Sequence, residues 1–240
     1  MVNEHPILMN GAMVRAVLDG SKMQTRRIAK LQRLAGSYFV GGAAGVEFDG
    51  FRIPRDGGPA PARFSAEAVG GGACISEEIH CPYGKPGDRL WVRETFGYVS
   101  PDEHQRPPSE CSIEYRADLP ADCTDRPGSW PVEECAGDPE RPRWRPSIHM
   151  PRAASRILLE IVSVRVERLQ DISDADIVAE GIDMEALAES QDRYDVVCKG
   201  SGASGRATER SAWRDLWEST GGDWEANPWC WAITFKRVAP

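Results

Sequence analysis

Glycine and proline partition this chain before any other feature does. Residues 35–72 carry Gly41-Gly42-Ala43-Ala44-Gly45 and Gly70-Gly71-Gly72, while residues 100–147 carry Pro107-Pro108, Asp125-Arg126-Pro127-Gly128 and Arg141-Pro142-Arg143. Proline fixes φ and removes a backbone donor, and glycine raises the entropic cost of ordering, so neither stretch favours a long helix or a central strand. The first is expected to hold at most a short hairpin around Val46 to Ile53. Ala35 to Gly72 and Pro101 to Gly137 are expected to be the least regular parts of the chain. Regular structure is left to the N-terminal region, to a short strand at Arg89 to Glu94, and to the chain from Ala154 onward.

In the N-terminal region Asn10 can cap a helix whose apolar positions Met13, Val14, Val17 and Leu18 recur at helical spacing, and Gly20 suits the left-handed residue that ends it. Lys22 then falls in the exit turn. A strand over Thr25 to Ile28 places Thr25 and Arg27 on one face and Arg26 on the other, with Lys22 curling back onto the Thr25 face. Further on, Ile157, Leu159 and Ile161 alternate before Val162, Val164 and Val166 continue on the other parity. This predicts a long strand that bulges or switches face near Ile161 to Ser163.

Ser173 and Asp176 make a capping box for a helix through Ile177 and Val178 to Glu180, stopped by Gly181. A second helix follows from about Met184. The tract Lys199 to Arg206 reads as a flexible linker, and its glycines lack the Gly-Lys-Ser/Thr ending of a phosphate-binding loop. Thr208 to Ser219 is amphipathic, with Trp213, Leu216 and Trp217 on a core-facing side. In the last strand Trp229, Trp231, Ile233 and Phe235 share one face.

At 240 residues the chain is long enough for one substantial core. No apolar run is long enough to span a bilayer, and the N-terminus lacks the basic and apolar halves of a signal peptide, so a cytoplasmic protein without membrane association is expected. Seven cysteines, odd in number and widely spaced, argue against a disulfide framework. The spacing of Cys111, Cys123 and Cys135, with His80 next to Cys81, raises the question of zinc, but no Cys-x-x-Cys pair is present, so neither metal nor cofactor is expected.

The net charge of −8 discourages tight binding to a long polyanion. Its distribution is uneven: Met1 to Val40 carries +4, Arg141 to Arg168 carries +5, and the remainder −17. A basic site on an acidic body suits a nucleotide or a short exposed loop of RNA. The alternative is a set of solvated arginines paired with the acidic remainder.

The segment Gly20-Ser21-Lys22-Met23-Gln24-Thr25-Arg26-Arg27 concentrates an amine, a hydroxyl and guanidinium groups. Its pattern, Gly-x-Lys-x-x-Thr-x-Arg, resembles the signature of the ASCH family, small β-barrel proteins related to RNA-binding PUA domains. Three further segments match in the family's order: Lys85-Pro86-Gly87-Asp88-Arg89-Leu90 as its Lys-x-Gly-Asp turn, Leu169 to Ile182 as its glutamate-bearing helix, here with Glu180, and Trp229 to Val238 as its closing aromatic strand. The match covers roughly half the chain. Residues 31–80 and 97–147 have no counterpart in the compact members. The resemblance implies an α+β, mainly β, PUA-like barrel with peripheral helices, one domain over residues 1–240 with irregular insertions at about 31–80 and 97–147.

The activity implied is amidohydrolysis of an acyl group on the exocyclic amine of a modified cytidine, with Thr25 as nucleophile, Lys22 as the base that takes its proton, and Glu180 relaying a proton to the leaving amine. A lysine serves as a base only when its pKa falls, which burial and the nearby Arg26 and Arg27 promote and a close Glu180 opposes. Arg27 can hold a phosphate or polarise the carbonyl, and Arg26 is read with it as substrate-binding. The stretch Trp144-Arg145-Pro146-Ser147-Ile148-His149-Met150-Pro151-Arg152 supplies stacking and hydrogen-bonding groups, so Trp144, Arg145, Ser147, His149 and Arg152 are candidates for one wall of a base pocket, with His149 alternatively capping a turn. The expected partner is a modified nucleoside or a single-stranded or loop RNA. Two rivals stand beside the hydrolase: a non-catalytic module that recognises a modified base, and a ribonuclease.

Overall fold

The computed structural model describes residues 2–31, 34, 45–52, 59–70, 74–101, 106–120, 127–128, 143–197 and 207–239. Along the chain run β1 (Glu4–Leu8), α1 (Gly11–Asp19), β2 (Gln24–Ile28), β3 (Glu47–Phe51), β4 (Ala62–Glu67), β5 (Cys74–Ile79), β6 (Arg89–Arg93), β7 (Phe96–Val99), β8 (Ser112–Tyr115), β9 (Leu158–Arg168), α2 (Asp174–Ala179), α3 (Met184–Val197), α4 (Glu209–Ser219) and β10 (Trp229–Val238). Hydrogen bonding orders the strands as β1-β6-β9-β10-β2, β3-β4-β5 and β7-β8. The fold is therefore mixed α+β and built mainly of strands. The expected closed barrel is corrected: β1 pairs only inward with β6 and β2 only inward with β10, so among the described residues the largest sheet has two ends.

The chain divides into two compact units, one of residues 1–20, 88–160 and 236–240, the other of residues 21–87 and 161–235. One of their four boundaries in sequence falls inside β9, between Glu160 and Ile161, where the apolar residues change parity. Val162 is accordingly exposed, whereas Leu159 and Ile161 are buried.

In the first unit β1 runs parallel to β6, from Glu4 opposite Arg89 to Leu8 opposite Arg93, and β6 pairs antiparallel with Leu158 to Glu160. The buried Asp88 fixes the start of β6 by accepting from Asn3 N at 3.1 Å. Helix α1 begins and ends as its sequence predicts. Asn10 Oδ1 accepts from Met13 N at 2.9 Å, and Gly20 takes φ +87°, a conformation glycine reaches without the Cβ penalty. β7 and β8 pair antiparallel over four residues each, and Phe96, Met150 and Ala154 form a small core beneath them with Tyr98, Ile113 and Tyr115.

In the second unit β10 pairs antiparallel with β2. Trp229 and Trp231 pack against aromatics of the β3-β4-β5 sheet: Phe48 and Phe64 each have ring centroids 5.9 Å from Trp229, and Phe51 lies 6.4 Å from Trp231. Cys230 points into a separate core with Leu169, Ile172, Ile177, Trp213 and Trp217. The early half of β10 is thus covered on both faces, with Trp229 and Trp231 on one and Cys230 on the other. The α4 tryptophans are core, as read from their spacing, and Thr208 and Ser211 cap that helix reciprocally.

One expectation fails here. β4 is the central strand of its sheet and lies inside Ala35 to Gly72, the stretch expected to hold none. Ala62-Arg63-Phe64-Ser65-Ala66-Glu67 alternates buried and outward positions with period two, but its inward face is one phenylalanine and two alanines, a weak apolar signal between glycine- and proline-rich flanks. Burial of Phe64 to 0 % exposure supplies what local propensity lacks. Phe64→Ala should cost about 3 kcal/mol of unfolding free energy, measured by urea titration. A loss within the error of the titration would mean that this sheet is not part of the folded core.

Candidate functional site

The charged cluster lies wholly within the second unit, on a frame of backbone contacts. Met23 N donates to Ala179 O at 2.8 Å, Phe235 N donates to Met23 O at 2.9 Å, and Lys22 forms an isolated antiparallel bridge with Glu180. The chain entering β2 is thereby fastened between β10 and the end of α2. Side chains alternate along extended backbone, so Gln24 and Arg26 share one face of β2 while Thr25 and Arg27 share the other. Cross-strand partners agree: Gln24 lies opposite Thr234 and donates to its Oγ1 at 3.1 Å, Thr25 lies opposite Ile233, and Arg27 opposite Trp231.

Lys22 and Glu180 meet on the Arg26 face. Lys22 Nζ donates to Glu180 Oε2 at 2.8 Å and to the Glu180 backbone carbonyl at 2.7 Å, with 0 % and 2 % of the two side chains exposed. This corrects the expectation that Lys22 curls onto the Thr25 face. A buried ammonium needs acceptors, and the end of α2 offers both a carboxylate and a helix-terminal carbonyl.

Arg26 is the hub of the cluster. Its Nη1 donates to Gln24 Oε1 at 2.7 Å and to Glu180 Oε1 at 3.0 Å, and its Nη2 donates to Asp176 Oδ2 at 3.0 Å and to Glu167 Oε1. The guanidinium also lies 5.9 Å from the Trp213 ring. Asp176 accepts further from Arg165 at 2.7 Å and from Gln24 Nε2 at 3.1 Å. Lys22, Arg26 and Arg165 thus face Glu167, Asp176 and Glu180 in charge balance. Arg26, expected to bind substrate, is instead engaged with protein carboxylates.

Burial lowers the Lys22 pKa below its ordinary 10.5. Glu180 opposes this by charge and hydrogen bond, Arg27 and Arg26 reinforce it, and burial prevails. Because the folded-state value lies below the unfolded one, the cost of burying this group falls as pH rises between the two. Asp176 moves down from its ordinary 3.8: burial pushes it up, but the charges of Arg165 and Arg26, with hydrogen bonds from Arg26 and Gln24, outweigh burial. Its stabilisation is present above the unfolded value and is lost as pH falls through the lower folded value. Asp176→Asn should therefore lower the melting temperature near neutral pH, with the gap to the wild type closing as pH falls toward about 2. A gap that persists undiminished in acid would rule out this carboxylate as its source.

Thr25 sits on the opposite face. It is 1 % exposed, and its Oγ1 is buried with no hydrogen-bond partner among the described residues. Arg27, half-buried beside it, donates from Nη1 to the Arg26 carbonyl at 3.2 Å. The structure therefore joins Lys22, Glu180 and Arg26, and sets Thr25 and Arg27 on the other side of β2.

The Trp144 to Arg152 stretch belongs to the first unit. Arg145 exchanges both backbone hydrogen bonds with Phe96, at 2.7 and 3.2 Å, and its guanidinium lies 5.0 Å from the Tyr98 ring. Trp144 is half-buried, its indole Nε1 without a partner among the described residues. Ser147 to His149 is a single 3-10 turn with His149 exposed, and Arg152 pairs with Glu4 at 2.7 Å. Arg156 is held by Glu94 and Asp118. Arg26, Arg152, Arg156 and Arg165 of the two basic segments are thus paired with carboxylates within the protein.

Sequence reading missed Gln24, Arg165, Glu167 and Asp176. Gln24 is two residues from Arg26, and Arg165 and Glu167 alternate on β9, so each had a parity signal but no partner identifiable in sequence. The sequence makes Asp176 half of a capping box with Ser173. Ser173 Oγ does accept from Asp176 N at 3.2 Å, but the Asp176 carboxylate turns to Arg26, Arg165 and Gln24. Of the four cysteines that raise the question of zinc, Cys123 and Cys135 lie outside the described residues. No helix among the described residues is long and apolar enough to cross a membrane. No family model, curated protein or solved structure matches this chain.

Proposed function

We propose that this protein is an ASCH-type amidohydrolase that removes an acyl group from the exocyclic amine of a modified cytidine, free or in an exposed RNA loop. The observation that carries this reading is the Lys22–Glu180 pair, two groups 158 residues apart in sequence that meet in the interior at the two positions the family resemblance names. Buried ionisable groups with a displaced pKa, as Lys22 is, concentrate at functional sites. In this mechanism neutral Lys22 takes the proton of the Thr25 hydroxyl, and Oγ1 attacks the acyl carbonyl. The C–N bond breaks as Glu180 delivers a proton to the leaving amine, and water then hydrolyses the acyl ester on Thr25. Because Lys22 rests on Glu180 on the opposite face of β2 from Thr25, turnover requires Lys22 to leave a proton on Glu180 and its neutral amine to reach the other face. Arg27, already on the Thr25 face, holds the carbonyl oxygen or a phosphate. The same reading assigns the protein to the cytoplasm.

That separation favours a second reading, a module that recognises a modified base without converting it. Incubation with a panel of modified nucleosides and short RNAs, read by mass, distinguishes the possibilities. Loss of the acyl mass supports the hydrolase; binding with unchanged mass supports the module; cleavage of the RNA chain would replace both with a ribonuclease.

A further inference from the structure

Glu180 has its two carboxylate oxygens divided between two cations: Arg26 Nη1 holds Oε1 at 3.0 Å and Lys22 Nζ holds Oε2 at 2.8 Å. Arg26 is in turn set from behind by Gln24 Oε1 and by the carboxylates of Asp176 and Glu167, with no side-chain exposure of its own. We propose that Arg26 is the positioning residue of this site, fixing the Glu180 carboxylate so that proton exchange with Lys22 is confined to Oε2. In that exchange an Nζ–H bond of Lys22 breaks and an O–H bond forms on Oε2, leaving a neutral amine and a neutral carboxyl group. Oε1 stays with the guanidinium throughout, which makes the carboxyl group unable to rotate its proton away from the amine. The inference rests on the hydrolase reading for its purpose, not for its geometry.

Around the pair stand Arg26 and Arg27 from β2, Arg165 and Glu167 from β9, Asp176 from α2 and Cys230 from β10. Burial raises the Cys230 thiol to about 12, so it stays neutral through the working range. Of the six, Arg26 is the one that holds Glu180 directly.

The chain has only five lysines, so lysine-selective ¹⁵N labelling gives a small set of Nζ signals, and Lys22→Met assigns the one of interest. The titration midpoint of Lys22 is read in the wild type, in Arg26→Gln, in Arg26→Lys and in the charge-neutral Gln24→Ala, each checked for folding by thermal melt. Arg26→Gln should raise the midpoint by about one pH unit through loss of a neighbouring positive charge, and Arg26→Lys should recover part of the shift. Gln24→Ala, which alters no charge, should move it in the same direction by releasing Arg26. A folded Arg26→Gln with an unchanged midpoint would overturn the proposal. So would an unchanged Gln24→Ala, which covers the case in which Arg26→Gln does not fold. These titrations contain no substrate, so a wild type that fails to deacylate cytidine removes the hydrolase reading and leaves the positioning role to stand or fall by itself.

Discussion

Lys22→Ala and Thr25→Ala are each expected to lower turnover of an acylated cytidine by a factor on the order of 10² or more, with ligand affinity changed by no more than a few fold. The two variants differ in what they do to the fold. Thr25→Ala deletes a hydroxyl that has no partner among the described residues, so its melting temperature should stay close to the wild type, and any loss of rate reports on chemistry. Lys22→Ala strands Glu180 with one cation fewer and must be read alongside its stability. Arg27→Ala should weaken binding as well as turnover, since a guanidinium that holds a phosphate or carbonyl acts in the ground state too. The double variant of Lys22 and Thr25 should lose little more than either single one, because base and nucleophile act as a unit. A folded Lys22→Ala protein that deacylates normally would refute the assignment. Wild type that binds acylated cytidine without converting it would favour the binding module.

Glu180→Ala is expected to destabilise the protein by about 3–5 kcal/mol, measured by urea unfolding, because it leaves the buried Lys22 ammonium and one nitrogen of Arg26 without their shared acceptor. Losing the pair should cost less than breaking it. Lys22→Met combined with Glu180→Leu removes both charges and fills similar volume, so the double variant should be markedly more stable than Glu180→Ala alone. If Glu180→Ala unfolds at the wild-type urea concentration, the pair is not buried in solution as it is in the structure, and the geometric basis of the proposed site is lost with it.

Much of the frame of this site could be read locally. Asn10 and Gly20 delimit α1, Ser173 opens α2, and Gly181, at φ +83°, closes it at Glu180, so the position of the glutamate at a helix terminus follows from capping chemistry. The tryptophan spacing of α4 placed Trp213 and Trp217 in a core. Motif order brought Lys22 and Glu180 into one hypothesis. Period-two alternation likewise put Thr25 with Arg27 and apart from Arg26.

Which side Lys22 takes was not legible, because a long, flexible side chain in a turn reaches either face and only its acceptor decides. That acceptor lies 158 residues away. β4 escaped for a related reason: Ala62, Phe64 and Ala66 make a strand worth forming only when Trp229 and its neighbours cover Phe64. Local sequence therefore determined the helix ends, the strand parities and the residue types of the candidate site. Tertiary structure alone decided that Arg26 meets Glu180, Asp176 and Glu167, that the Asp176 carboxylate turns to Arg26 and Arg165 while its backbone N–H is capped by Ser173, and that the largest sheet stays open among the described residues. The physical reason is common to all three. Local propensities act within a few residues, whereas the desolvation of a charge and the pairing of a strand edge depend on what the folded chain brings against them.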